Sequence, residues 1–402
     1  MTTQASVFRI IKFALIKVVP GLFNIGLIPY LLVTLGPVNY GLYSIWLSYA
    51  MLVANALAAI VSQPMYRFLS SRPEERDHFA SFGIGAAGIA GVFSAIVVLI
   101  AGAPWWIAFG FGILSVGTVL GTVVSIEFVI DGLIARLAAY EALRVCTIFV
   151  AIAIAVFAGD ELGFGIVVFA MALSNVLPLV MLAKRYRFSL PGIWWLRRVA
   201  PYGVKSATWL ILAGLPVVSA KSILLQAMPE GAFGTYAAIT DLTYRGFSIA
   251  NAALIMWAFP LLSRQFDAGE FAEARQTLRL ALLLYSFVGI AMILGVAIAA
   301  EELSLFNVSV LPGGLYAAIA IAFANFGWHI MSISHKPLEL SLRTTRMAVS
   351  MALAVCTFYV LVFTLTRLTE FNALYVVTLT MTGVSLMYAV SSLGHKPSDV
   401  RR

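Results

Sequence analysis

Twelve long apolar runs, parted by short polar breaks, leave this chain few folds to choose from. They fall near residues 10–35, 42–69, 79–101, 105–131, 140–158, 163–183, 201–227, 232–262, 278–300, 312–334, 343–366 and 370–392. A helix needs roughly 20 apolar residues to cross a hydrocarbon core ~30 Å thick. Lipid offers no partner to backbone N–H and C=O groups, so a spanning segment is a helix or part of a closed barrel. Barrel strands are short and alternate apolar with polar residues, and these runs do neither. Hydrophobic residues make up 61% of the chain and charged residues 11%, with a mean hydropathy of +0.97. A soluble domain carries about 25% charged residues and could not hide this much apolar surface from water. The expected fold class is therefore all-α: a polytopic membrane protein of about twelve transmembrane helices. The first run is long enough to span and lacks a small-residue cleavage site, so it reads as span 1 rather than a signal peptide.

Charge placement supports the count. The net charge is +8, but its position matters more than its size, because Lys and Arg gather in cytoplasmic loops. Arg9 and Lys12 precede span 1, and Arg67, Arg72 and Arg76 follow span 2. Arg136 and Arg144 lie between spans 4 and 5, and Lys184, Arg185, Arg187, Arg197 and Arg198 between spans 6 and 7. Arg264, Arg275 and Arg279 follow span 8, Lys336, Arg343 and Arg346 separate spans 10 and 11, and Lys396, Arg401 and Arg402 close the chain. With twelve spans, all of these share one side. The opposite loops carry Asp160, Glu161, Glu230, Glu301, Glu302 and Glu370 against a lone Arg367. Both termini are thus expected in the cytoplasm. The outer loops, such as LGPVNYG, AGAPWW and MPEGAFG, are too short to hold a folded domain.

The two halves echo one another. Tyr40-Gly41-Leu42-Tyr43 follows span 1, and Phe233-Gly234-Thr235-Tyr236 follows span 7, each preceded by a proline, Pro37 and Pro229. Pro64 and Arg67 end span 2, as Pro260 and Arg264 end span 8. Six spans per repeat preserve orientation, so the halves would be related by an axis along the membrane normal, a plan that places a substrate site between them. The expected domains are an N-terminal lobe (1–183), a cytoplasmic interfacial linker (184–200) and a C-terminal lobe (201–402). The linker KRYRFSLPGIWWLRR would lie on the inner membrane surface, with Trp194 and Trp195 at headgroup depth.

Ionisable groups at membrane depth cost about 2.5 kcal/mol or more each and normally face a cavity or a partner. Arg245 lies near the middle of span 8, with Asp241 one turn away at i,i+4 spacing. Span 7 carries Lys205 near its inner end and Lys221 nearer its outer end, and span 1 carries Lys17 at a depth like that of Lys205. Each has a plain structural reading. Lys17, Lys205 and Lys221 could snorkel to headgroups, and Asp241–Arg245 could be a closed pair. Glu127 and Asp131, close to Arg136, read as an interfacial pair. Taken together, the deep cations cluster on spans 1, 7 and 8, and a cleft lined by Lys and Arg suits an anionic group, phosphate above all. Pro20, Pro29, Pro64, Pro178, Pro216 and Pro260 interrupt spans, and Gly83, Gly85, Gly88 and Gly91 lie in span 3, features that suit helices that kink and pack closely. Cys146 and Cys356 form no CxxC pair, and His78, His329, His335 and His395 show no ligand spacing. No Ser/His/Asp set, metal cluster or Gly-rich phosphate loop is present, so neither an enzyme nor a cofactor is expected.

The stretch LGPVNYGLYSIWLSYAMLV resembles the opening of the bacterial polysaccharide flippases, in which a long first helix leads into an LGxxxYGxY turn. The stretch FGTYAAITDLTYRGFSIANAALIMWAFPLLSRQFDAGEFAEARQTLRLAL resembles that family's second-half pattern: a GxY turn, a helix ending in FPxLSR, then an amphipathic link. The family belongs to the multidrug/oligosaccharidyl-lipid/polysaccharide exporter superfamily. The resemblance implies two six-helix lobes around a central cleft lined by spans 1, 2, 7 and 8. It also implies alternating access and a polyprenyl-diphosphate-linked oligosaccharide as substrate. The cations Arg245, Lys221, Lys17 and Lys205 are then candidates to meet the diphosphate, and Asp241 a candidate for coupling or gating, with H+ or Na+ as the coupling ion. Membrane lipids and other polysaccharide-assembly proteins are the expected partners, nucleic acid is not, and the expected place is the bacterial inner membrane. A multidrug exporter of the same superfamily is the first alternative, although cationic drugs would want an exposed acidic cleft. A membrane-embedded polymerase or glycosyltransferase is the second, although its catalytic groups would be expected in a sizeable outer loop.

Overall fold

A computed structural model describes residues 3–69, 72–157, 163–182, 189–301, 306–341, 343–368 and 372–393. The regular structure of the described residues is all helical, with no strand among them. The helices are α1 (Thr3–Pro64), α2 (Arg76–Ile100), α3 (Trp105–Ile130), α4 (Ile134–Phe157), α5 (Phe164–Val176), α6 (Ile193–Ala227), α7 (Glu230–Asp267), α8 (Phe271–Glu301), α9 (Leu315–Ser334), α10 (Lys336–Leu340), α11 (Thr344–Leu368) and α12 (Ala373–Leu393). Ten of them are long and apolar enough to cross a membrane, and α5 is a shorter apolar helix.

The expected twelve crossings are accounted for once α1 is read as two. Its apolar part, Val18–Pro64, has 47 residues, about 70 Å at 1.5 Å per residue, or twice a bilayer core. The break is Gly36, at φ 74° and ψ 157°. A residue before proline is pushed out of the helical region, and a left-handed φ suits glycine because it has no Cβ to clash. Gly36-Pro37 therefore ends the first limb and starts the second with almost no loop. Other prolines act as punctuation too. A π-helical turn, Met65–Leu69, follows Pro64, and α5 tightens into a 3-10 segment, Leu177–Leu182, around Pro178. Pro216 sits inside an unbroken α6.

The burial pattern is that of a protein in lipid. In α2 the small residues Gly83, Ala86, Ala87, Ala90, Gly91 and Ser94 are buried, while Ile89, Val92, Phe93 and Ile96 on its other side are exposed. Lipid is as apolar as leucine, so helix association there relies on close backbone approach over small residues. At the crossing of α2 and α3, a Cβ on Gly112 would lie 2.9 Å from the Gly91 carbonyl oxygen, while Gly85 and Gly88 face open space.

The chain forms two compact units, residues 42–218 and residues 1–41 with 219–402. The bend at Gly36 and the middle of α6 lie near the two places where the chain passes from one unit to the other. In the 42–218 unit, the start of α6 is a docked helix rather than a surface tether. Trp195 is buried against Phe79 and Phe82 of α2, and its indole N–H donates to Glu75 Oε2 at 2.8 Å. Arg198 clamps both oxygens of the same carboxylate. Of the two tryptophans expected at headgroup depth, Trp194 is exposed and Trp195 is core. The reason is a short aromatic shelf on α2 that only the folded chain brings under the linker. Residues 184–188 lie outside the described residues.

Candidate substrate and counterion site

The candidate site lies within the unit made of residues 1–41 and 219–402, and is built from α1 on both sides of its bend, the outer part of α6 and the middle of α7. The repeat motif assembles it. Gly41 and Gly234, the paired glycines of the two aromatic-Gly-x-Tyr turns, meet. A Cβ on Gly234 would fall on the Pro37 carbonyl, and one on Gly41 would strike the Phe233 ring at 2.8 Å. With no side chains at that crossing, α1 and α7 approach backbone to backbone. Tyr40 is thereby driven inward until it is 1% exposed.

Asp241 is where this approach leads. The Tyr40 hydroxyl donates to its Oδ2 at 3.0 Å. The Lys221 ammonium donates to its Oδ1 at 2.6 Å. The lysine side chain is 2% exposed and the carboxylate 13%, so this ion pair sits well away from solvent. One carboxylate thus takes a charged donor and a neutral donor from two different helices, which satisfies both of its oxygens.

Arg245 follows one turn later on α7. The i,i+4 spacing predicted a partnership with Asp241, but that carboxylate forms its ion pair with Lys221. The Arg245 guanidinium instead donates to the Asn24 backbone carbonyl at 3.3 Å, and its side chain is half-buried. A carbonyl acceptor balances none of its charge, so Lys221, Asp241 and Arg245 together keep one positive charge in excess. The other two predicted cations are not brought into the group. Lys205 is exposed on the part of α6 that belongs to the other unit, and the Lys17 side chain lies outside the described residues.

A second polar string braces α7 from behind. Asn325 of α9 donates to Thr243 Oγ1 at 2.7 Å and to the Thr240 carbonyl at 3.3 Å. His329 Nδ1 lies 2.9 Å from the Asn325 carbonyl, and since that oxygen can only accept, Nδ1 carries the proton. The His329 ring packs edge-on to Tyr244. Lower down, Asn251 of α7 donates to Ser332 of α9 at 2.6 Å. Such interhelical amide and hydroxyl contacts hold membrane helices in register. Elsewhere, Asp131 pairs with Arg76 of α2, where the sequence pointed to Arg136. Among the described residues, no three His, Cys, Asp or Glu side chains are placed to hold a metal ion.

Sequence reasoning missed Tyr40 and Asn24 as members of the site. The signal for Tyr40 was present: it is the first residue of the repeated turn, and the repeat marks where the two halves cross. Asn24 acts through its backbone, and no side-chain pattern could have exposed it.

No protein-family model matches the chain, and no curated protein matches it. Solved structures do. The chain is similar to an inward-facing conformation of a multidrug resistance MATE family transporter of the MOP superfamily, with a TM-score of 0.68 and 14% identity over 94% of this chain and 97% of that one. It is similar to an outward-facing conformation of such a transporter, with a TM-score of 0.67 and 14% identity over 96% of this chain and 93% of that one. A eukaryotic MATE transporter gives a TM-score of 0.69 at 12% identity, over 98% of this chain and 95% of that one. This multi-pass membrane protein therefore has the fold of the MATE transporters.

Proposed function

We propose that this protein is an alternating-access transporter that moves a lipid-linked anionic substrate, a polyprenyl-diphosphate-linked oligosaccharide, from the inner to the outer leaflet for cell-surface polysaccharide assembly. The observation that carries the reading is the unbalanced positive charge at Arg245, deep in α7. A half-buried guanidinium facing a carbonyl is a poor resting arrangement and a good phosphate fork, because its N–H groups match phosphate oxygens two at a time. In this reading Arg245 holds the diphosphate at mid-depth, and Lys17 and Lys205 draw it in from the cytoplasmic leaflet. Lys221 helps at one remove: by neutralising Asp241, it keeps that carboxylate from claiming the arginine. The lobes of the reading are residues 1–183 and 201–402, and the site belongs to the bacterial inner membrane.

A second reading has its own support. Two of the similar structures are multidrug resistance transporters, and another is a MATE multidrug transporter in complex with a small molecule. The chain would then export a small molecule. The excess positive charge argues for an anionic or neutral one.

The deciding experiment is deletion of the gene in its own organism, followed by extraction of lipid-linked glycans and measurement of surface polysaccharide. Build-up of diphosphate-linked repeat units with loss of surface glycan is the expected result. Restoration by the wild-type gene but not by a stably expressed Arg245→Ala variant completes it. Unchanged glycans in a strain with no second flippase, alongside increased drug sensitivity, would move the reading to the small-molecule exporter.

A further inference from the structure

We infer that Lys221 is a built-in counter-cation, standing where a transported or coupling ion would otherwise sit, and that Asp241 without it is a binding site for a small monovalent cation. This goes beyond the reading above and stands on the ion pair rather than on the substrate.

A carboxylate at membrane depth is stable only when its charge is balanced nearby. Two devices can do this: a diffusible ion, which comes and goes, or a tethered one, which stays. Asp241 has the tethered kind. The Lys221 Nζ lies 2.6 Å from Oδ1, and the lysine side chain is 2% exposed, so the ammonium is enclosed beside the carboxylate. The other carboxylate oxygen is covered by the Tyr40 hydroxyl at 3.0 Å. The arrangement is that of an occupied ion site: an anionic oxygen, a phenolic oxygen and a monovalent positive charge between helices. Here the positive charge is covalently attached to α6.

The position fits this role. Lys221 and Asp241 come from consecutive helices, α6 and α7, and Tyr40 comes from α1 just past its bend, so three elements meet at one charge. Among the described residues, the charged and titratable groups around the carboxylate include Tyr40 on α1, Lys221 on α6, and Tyr236 and Arg245 on α7 itself. From the helices packed on α7, α9 presents the uncharged Asn325 to Thr240 and Thr243, and His329 to Tyr244, while α8 sets Tyr285 against Phe247. Lys221 is the cation in direct contact with Asp241, with Arg245 the next cation along α7.

The consequence is that the wild-type protein is indifferent to sodium at this site, and that removing the ammonium makes it cation-dependent. The test uses full-length purified protein in detergent, with sodium chloride, choline chloride and mildly acidic buffer as the probes. Wild type should melt at the same temperature in sodium as in choline. Lys221→Met should melt several degrees lower in choline and recover most of that loss in sodium or on acidification. Adding Asp241→Asn to Lys221→Met should remove the dependence on either ion. If Lys221→Met does not accumulate, recovery of normal levels by the Lys221→Met/Asp241→Asn double variant supports the inference through charge balance alone. A failure of both variants to accumulate overturns it. So does a wild-type protein stabilised by sodium through Asp241, or a well-folded Lys221→Met protein that ignores sodium and pH alike.

Discussion

Asp241 shows how strongly one charge shapes its surroundings in lipid. Its carboxylate draws Lys221 from α6 and Tyr40 from α1, and so ties three helices at a single point. The tyrosine's part can be measured by itself. A hydrogen bond to a charged group contributes about 1.5–3 kcal/mol, so Tyr40→Phe should lower unfolding stability in micelles by about that much. In the Lys221→Met/Asp241→Asn background the same change should cost far less, since the acceptor is no longer charged. A double-mutant cycle read by denaturant or thermal unfolding checks this. Equal losses in both backgrounds would show that the phenol matters for packing and not for the carboxylate.

Helices here are held together by what their side chains lack. The Gly91–Gly112 and Gly41–Gly234 crossings let backbones meet where a methyl group would collide, whereas Gly85 and Gly88 on the same helix as Gly91 face open space. Gly91→Val or Gly112→Val should therefore destabilise the protein by about 1–3 kcal/mol, the usual cost of overpacking. Gly85→Val and Gly88→Val should be near neutral. Fluorescence-detected size exclusion after a heat challenge would rank the four. The sequence displayed all these glycines alike. Which of them abut a neighbour depends on how α2 is rotated about its axis, and the exposed Ile89, Val92, Phe93 and Ile96 set that rotation. The linker taught a similar lesson. Adjacent tryptophans point to different sides of a helix turn, so one sits exposed while the other fills a pocket over Glu75.

Among the described residues ten helices are long and apolar enough to cross a membrane, and reading α1 as two and α5 as one more gives the twelve crossings of the sequence reading, a count under which the basic loops are expected on one side. The arrangement predicts accessibility loop by loop. After Cys146 and Cys356, which are free and exposed, are replaced by serine, single cysteines are introduced at Val38 or Glu230 in the acidic-side turns. These should react with a membrane-impermeant maleimide added to intact cells. Cysteines at Ala135 or Glu270, in the basic-side turns, should react only after the cells are opened. Labelling of both sets from outside would break the topology.

The all-helical, many-spanning fold was legible in the chain itself, and the charge alternation gives it an expected orientation, because both signals are local. An apolar run of spanning length is helical whatever its neighbours, and a basic loop resists translocation by its own charge. Of the cations read from position along a run, Lys221 is buried and Arg245 half-buried, whereas Lys205 is exposed and the Lys17 side chain lies outside the described residues. Partnership was not legible. Sequence spacing offered Asp241 to Arg245, one helical turn away, yet the carboxylate is paired across helices with Lys221 and Tyr40. Proximity along a helix brings two side chains only to the same face, whereas the ammonium that reaches a carboxylate most directly is chosen by how neighbouring helices cross. That crossing rests on Gly41 and Gly234, whose missing side chains let α1 and α7 close together, and only the folded chain reveals which charge they enclose.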